Sequence, residues 1–369
     1  SFEGWLRRRV SSPDTVLVID ALDEVRDTRD RASEERFRDR CKEMATWLTR
    51  LLLTCRTMQW ESRRSWVPWE ERTEIELAPF NAAQQQTFII RFYRRESGEA
   101  DALQQRFRQN RAIRHACGSP LLLTYTCLLH GNESSALADD CTIAQLYGAV
   151  LRTVLRGETR AVLPPWAPSS STLARCERAL RQIAAALFLR APEANSFVFD
   201  DWDDACEDAR LPNDLSPEDF LAKLEDVGLI VTGGQRNDAD SWSFAHRTLL
   251  EYLTANALAR RPQEEWLAEA KKHFWFQPEW HEVLKFLAGS AEDATPLVRA
   301  VQSERDDMFG SMVALQADLV GSAKAIDEEV ALETASAVWC SLNHPMAWDR
   351  FGSWLQAVCQ NTLVRSHLP

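Results

Sequence analysis

Four absences frame this chain. No Gly-Lys dipeptide occurs in its 369 residues. A G-x-x-x-x-G-K-[ST] loop, whose backbone amides cradle phosphates while its lysine reaches the terminal one, is therefore excluded within these residues. No C-x-x-C pair occurs among nine cysteines, an odd and scattered set that argues against a zinc site or a disulfide framework and for reduced thiols in a cytoplasmic protein. No uncharged run is apolar enough to span a bilayer. The longest, His115 to Asn132, carries Ser, Thr, Gly and Asn and predicts a buried helix. There is also no excess of positive charge. The formal net charge is −12, which sets the chain against a non-specific nucleic-acid or anionic-membrane surface. The chain opens on Ser1 with neither a signal peptide nor a methionine, and an N-terminal portion is expected to precede it.

What is present is ordinary globular material, 45% hydrophobic and 27% charged, long enough for two to four packed units. Near its start, Val16-Leu17-Val18-Ile19 is a short apolar run rich in β-branched residues, predicting a strand buried on both faces of a parallel sheet. It stops at Asp20, and Asp23 and Glu24 follow. Open α/β sheets bind ligands at the C-terminal edge of their strands. Carboxylates gathered there need a cation or hydrogen-bond donors to offset their desolvation. One chemical reading is a magnesium and phosphate site, with one acid on the metal and a later one orienting or deprotonating water. The alternative is a helix N-cap followed by surface acids.

A helix is expected next, with Ser33 as N-cap, Glu34 and Glu35 in its first turn, and Phe37, Cys41, Met44 and Leu48 on one face. Leu51-Leu52-Leu53-Thr54 then reads as a second strand, ending at Cys55-Arg56. A strand–helix–strand unit of this length is a right-handed parallel crossover, so both strand ends share one sheet edge. Asp20 and Arg56, 36 residues apart, are then expected to face one site. A plain Arg–Asp pair neutralising the edge is the alternative.

Asp20-Ala21-Leu22-Asp23-Glu24 resembles the Walker B motif of NACHT-type STAND ATPases, and Leu51 to Arg56 is similar to that family's sensor 1 strand. The resemblance implies magnesium coordination by Asp20, a catalytic or water-orienting role for Asp23 or Glu24, and γ-phosphate contact by Arg56. In the family the phosphate loop lies upstream of Walker B, and here that place falls before Ser1. Gly118-Ser119-Pro120 looks like the family's G-x-P motif, implying that Pro120 packs on adenine; by itself a proline opening a helix is commonplace. Phe244-Ala245-His246 through Glu251-Tyr252 matches its F-x-H-x-x-x-x-E-Y pattern. There His246 is implied to close on the ADP β-phosphate in the resting state, against the alternative of a satisfied core histidine.

Between these motifs the chain has a readable order. Trp60, Trp66 and Trp69 surround Arg63 and Arg64, but Glu61, Glu70, Glu71 and Glu74 cancel the charge. The tryptophans are expected to anchor a loop and not to stack on single-stranded nucleic acid. Pro79 breaks the preceding strand and Asn81 caps a helix carrying Phe88, Ile89, Phe92 and Tyr93. Gly157 to Ser171, with Pro164, Pro165 and Pro168, is the clearest linker. A winged-helix rhythm follows: a helix over 173–189, a strand over 197–199, helices over 202–209 and 217–227, and a hairpin from Gly228–Thr232 to Trp242–Phe244. From Asp200 to Asp240 there are 13 acids and 3 bases, which would repel phosphate backbones, so this module is expected to contact protein. From Pro262 onward helices alone are predicted, in a solenoid or helical cap without a nameable repeat.

The expected fold class is α/β followed by all-α. Residues 1–78 are the C-terminal half of a parallel-sheet P-loop ATPase core, 79–156 a helical domain, 157–171 a linker, 172–261 a winged helix, and 262–369 a helical sensor or solenoid-like region. The resemblance implies an ATP/ADP-dependent signalling switch in innate or antiphage defence that uses Mg2+, oligomerises on activation and binds a protein ligand at its C-terminal helices. No membrane or nucleic-acid partner is expected. A nucleotide-independent interaction scaffold is the alternative, and the chain alone, lacking a phosphate loop, is expected to be inactive as an ATPase.

Overall fold

A computed structural model of the chain describes residues 9, 12, 14–20, 22, 31–46, 50–55, 60, 73–94, 97–132, 141–157, 169–212, 215–236, 239–275, 277–341 and 348–367. The chain divides into two units, Ser1–Ala78 and Pro79–Pro369.

In the smaller unit, β1 (Leu17–Ile19), α1 (Arg31–Ala45) and β2 (Leu51–Leu53) form a strand–helix–strand unit. The two strands pair in parallel, with Leu17 opposite Leu51 and Ile19 opposite Leu53. The predicted burial on both faces is corrected: Val18 and Leu52 are more than half exposed, while their neighbours are half-buried. Side chains alternate across a pleated pair, so one face is covered and the other open. Cys41 on α1 is fully buried. Ser33, expected at the cap, lies inside α1, which begins two residues earlier; helix ends are the least sharply encoded part of a helix. Trp60 donates its indole N–H to Glu74, 3.2 Å away, within the same segment of chain. Trp66, Trp69, Arg63 and Arg64 lie outside the described residues.

The larger unit opens with five helices: α2 (Ala82–Tyr93), α3 (Ser97–Gln109), α4 (Arg111–Ala116), α5 (Pro120–Asn132) and α6 (Ile143–Leu155). Asn81 caps α2 by a reciprocal box, its side chain accepting from the Gln84 amide while Gln84 accepts from the Asn81 amide. Next come α7 (Ser170–Arg190), β3 (Phe197–Val198), α8 (Phe199–Glu207), α9 (Pro217–Asp226), β4 (Ile230–Arg236) and β5 (Ala239–Phe244). These strands make an antiparallel sheet of order β3-β5-β4. Its core centres on Trp202, which is fully buried, stacks on Phe197 at 5.5 Å and donates its indole N–H to the Pro217 carbonyl. Burying the ring while satisfying its N–H is what makes a tryptophan useful there.

The helix α10 (Arg247–Leu258) follows, and then, among the described residues, only helices: α11 (Gln263–Lys271), α12 (Pro278–Ser290), α13 (Thr295–Gln302), α14 (Ser311–Ser322), α15 (Glu328–Cys340), α16 (Trp348–Val358) and α17 (Thr362–Ser366). Within this unit α10 is sandwiched between α7 and α12. It is apolar nearly all round, with Leu249, Leu250, Tyr252, Leu253, Ala255 and Leu258 buried, as a helix covered on several sides must be. The hydrophobic core runs without interruption from Ile89 on α2 to Val364 on α17. The chain as described is mostly helical, with one small parallel and one small antiparallel sheet. No helix among the described residues is long and apolar enough to cross a membrane.

Candidate functional site

In the smaller unit the parallel register brings two chain exits to the same sheet edge. Asp20 follows β1 and Thr54 follows β2, and the Thr54 hydroxyl donates to Oδ1 of Asp20. The backbone closes this corner: the Thr54 amide donates to the Ile19 carbonyl at 3.0 Å, and the Leu22 amide donates to the Thr54 carbonyl at 2.8 Å. Leu22 is fully buried beneath the turn, whereas Asp20 itself is exposed. The corner offers an accessible carboxylate beside a hydroxyl, both hard oxygen donors. Magnesium is commonly held by one or two carboxylates with water completing its shell, so this donor set suits it. Among the described residues no three His, Cys, Asp or Glu side chains gather to hold a metal. Asp23, Glu24 and Arg56 lie outside the described residues. Thr54 is the partner that reading the acids alone did not single out; its signal was a hydroxyl ending an otherwise all-leucine strand.

Pro120 and His246 belong to the larger unit. Pro120 is the first residue of α5 and is exposed, where its missing N–H costs no helix bond. The turn before it is built on Gly118, whose carbonyl accepts from the Phe80 amide at 2.9 Å. A Cβ on Gly118 would lie 2.9 Å from the Pro79 Cβ and 3.0 Å from the His115 carbonyl oxygen. Only glycine lets these two segments approach so closely.

His246 is the N-cap of α10 and is exposed, with no side-chain capping bond. The core-histidine alternative does not describe it. The buried polar group of this segment is its neighbour. Arg247 donates to Glu251 at 2.9 Å, to the Ala194 carbonyl at 3.0 Å, to Asn195 at 2.9 Å and also to the Pro192 carbonyl. Its guanidinium carbon sits 5.9 Å from the Phe188 ring centre. Side-chain exposures of 12% and 8% make Arg247–Glu251 a buried ion pair, tolerated because its other donors are also used. This clamp ties the start of α10 to the end of α7 and thereby fixes the backbone that presents His246.

Tyr147 on α6 links the two motif regions of this unit. It lies close to Thr248, two residues after His246, and within electrostatic reach of Cys117, which precedes the Gly118 turn. Burial raises its hydroxyl to about 12, so it stays neutral and able to donate. Its ring packs edge-on to Phe286 at 5.0 Å and lies 5.8 Å from Tyr252. Tyr252 in turn crowds Gly148, where an added Cβ would meet its hydroxyl at 2.8 Å. Glu251 and Tyr252, the closing residues of the quoted pattern, thus serve the clamp and the core. Tyr147 was not singled out from sequence, because an aromatic on an apolar helix reads as core.

Four of the cysteines are held as neutral thiols. Burial pushes Cys117, Cys127 and Cys206 up to about 12 and Cys41 to about 11, far from the thiolate form that nucleophiles and metal ligands require. All nine are free. Comparison of the chain with protein-family models and with curated proteins finds no match, so the candidate site stands on its own residues.

Proposed function

We propose that the chain works as a nucleotide-dependent signalling switch of the NACHT/STAND class, in innate or antiphage defence, in which bound ATP or ADP controls oligomerisation. The observation that carries this reading is the parallel register of β1 and β2, which delivers Asp20 and Thr54 to one sheet edge with Arg56 two residues farther along. On this reading Asp20 holds magnesium, Asp23 or Glu24 orients water, and Arg56 contacts the γ-phosphate. Pro120 packs on adenine, and His246 meets the ADP β-phosphate from a module of winged-helix type over residues 172–261. Magnesium, when bound, supplies charge neutralisation for the phosphates. Exposure of Asp20, Pro120 and His246 supports the reading, since each reaches solvent. A nucleotide gains leverage on such a device only by binding its two states unequally.

A second reading, a nucleotide-independent interaction scaffold, is favoured by the C-terminal helices. Trp339 on α15, and Met308 and Phe309 in the turn between α13 and α14, are exposed at 62%, 61% and 44%, apolar side chains that a protein partner would cover. The discriminating experiment is a magnesium-ADP and magnesium-ATP titration of the protein in which this chain follows a G-x-x-x-x-G-K-[ST] loop. Saturable binding that disappears in the Asp20→Ala, Arg56→Ala double variant supports the switch. Binding indifferent to that double variant, or the absence of any such loop upstream, supports the scaffold. The 369-residue chain by itself is expected to release no phosphate above a heat-killed control.

A further inference from the structure

The proposed switch makes no use of a basic groove in the larger unit. A cavity of about 450 Å³ opens between α7 and the C-terminal end of α10, lined by Arg178, Arg181, Arg260 and Arg261, with Ala185 and Leu189 among its apolar walls. α10 runs antiparallel to α7 here: Thr254 reaches the Ala184 carbonyl, and Arg247 lies against Phe188 and the residues after α7. Arg260 and Arg261, just past α10, are therefore drawn toward Arg178 and Arg181, nearer the start of α7. Ala185 and Leu189 lie one and two turns farther along α7. One end of the groove is cationic and the other apolar.

Four guanidiniums meet here in a protein whose net charge is −12. The opposing carboxylates are Glu177, 3.5 Å from Arg181, and Asp208 in the groove wall. Arg260 donates to Asn256 at 3.3 Å. The side chains of Arg178 and Arg261 make no hydrogen bond or ion pair with any described residue. Only 12% of the Arg181 side chain is exposed, and burial followed by the charge of Arg260 lowers its pKa below the ordinary arginine value. Arg178, Arg260 and Arg261 are exposed, so water screens them, whereas Arg181 is held out of solvent beside Arg260 and an added anion would relieve that like-charge contact. Guanidinium forks match phosphate oxygens in geometry as well as sign.

We propose that this groove binds a small anion carrying a chain of adjacent phosphates, of nucleoside-polyphosphate or inorganic-polyphosphate type. Its volume falls within the roughly 300–1,000 Å³ of small-molecule sites. Nucleic acid is disfavoured because the neighbouring segment Asp200 to Asp240 carries 13 acids and 3 bases, which repel an extended backbone. The site is independent of the magnesium corner and shares none of its residues, so either can fail without the other.

The test is calorimetry on the 369-residue chain in EDTA at about 50 mM salt, where screening is modest. Sodium tripolyphosphate, ATP, adenosine and a single-stranded oligonucleotide are titrated separately. Tripolyphosphate is expected to bind one to one and adenosine not to bind; ATP binding tighter than tripolyphosphate assigns the apolar end to the base, and equal affinity assigns the site to the phosphate chain alone. Affinity is expected to weaken at least about tenfold in Arg178→Gln, Arg261→Gln, which removes two charge-assisted contacts. It is expected to be unchanged in Asp20→Ala. An unchanged melting temperature shows that the arginine variant folds; if it melts early, Arg178→Lys, Arg261→Lys, which keeps the charge and loses the fork, takes its place and is expected to weaken binding less. No heat from tripolyphosphate up to about 1 mM overturns the proposal. So does unchanged affinity in the folded arginine variants, or tighter binding of the oligonucleotide than of tripolyphosphate.

Discussion

The two units solve the same problem with different means. The larger one buries a continuous apolar core from α2 to α17, and its charged groups are either on the surface or clamped, as Arg247 and Glu251 are. The smaller one rests, in its described residues, on two strands of three residues each, with Val16, Val18 and Leu52 about half exposed. A two-stranded sheet of that length is marginal in water. The exposed Asp20 carboxylate beside the Thr54 hydroxyl lies in the smaller unit, and the buried Arg247 clamp lies in the larger one.

Substitutions sharpen or break this contrast. The largest effect is expected for Trp202→Ala, which empties a fully buried site stacked on Phe197 and should cost about 3–5 kcal/mol in urea unfolding of the larger unit. Arg247→Ala should approach it, about 3 kcal/mol or more, because Glu251 is left charged and buried; Arg247→Met with Glu251→Leu should recover most of the loss. Were Arg247→Ala to cost no more than a surface change, the clamp would not be holding α10 to the end of α7.

A pH series reads the same core. The folded pKa values of Cys117, Cys127 and Cys206 stand at about 12 against an ordinary 9.0, through burial. Stability is then whole below pH 9 and is lost as pH rises through the folded values, because unfolding releases protons. Melting temperature should fall steadily from pH 9 to pH 11; a flat profile would mean that these thiols are reached by water in the folded state. Cys41 compares the units directly. It is as fully buried as Cys117, yet it should be alkylated at a lower urea concentration, because the β1–β2 pair of its unit keeps one open face. Coincident midpoints for the two thiols would remove the distinction. The smallest effect belongs to Val18→Ser and Leu52→Ser, each expected within about 0.5 kcal/mol on account of their exposure.

How much of this was legible in the residues depended on how local the cause was. The pairing of β1 with β2, the Asn81 cap and the proline that opens α5 were readable because the causes lie within a few residues: an apolar run with a polar stop, an N-x-x-Q box, a ring that fits a first turn. The half-open face of β1 was not readable, since Leu17-Val18-Ile19 reads identically whether one or both sides are covered. Nor was the Arg247 clamp, whose acceptors at 192 and 194 are backbone carbonyls that any residue could supply, joined by the Asn195 side chain more than fifty residues away. The arginine groove needed α7 and α10 laid antiparallel before Arg178 and Arg260 became neighbours. His246 was ambiguous for the same reason: the apolar residues after it are buried, but the cap position turns its own side chain outward.

The most direct test of the proposed switch is the mass distribution, by mass photometry, of the protein in which this chain follows a phosphate loop, measured in magnesium-ADP and then in magnesium-ATP. The account predicts single particles in ADP, assemblies in ATP, and assemblies already in ADP for His246→Ala. One distribution under both nucleotides, unchanged by His246→Ala, would contradict it.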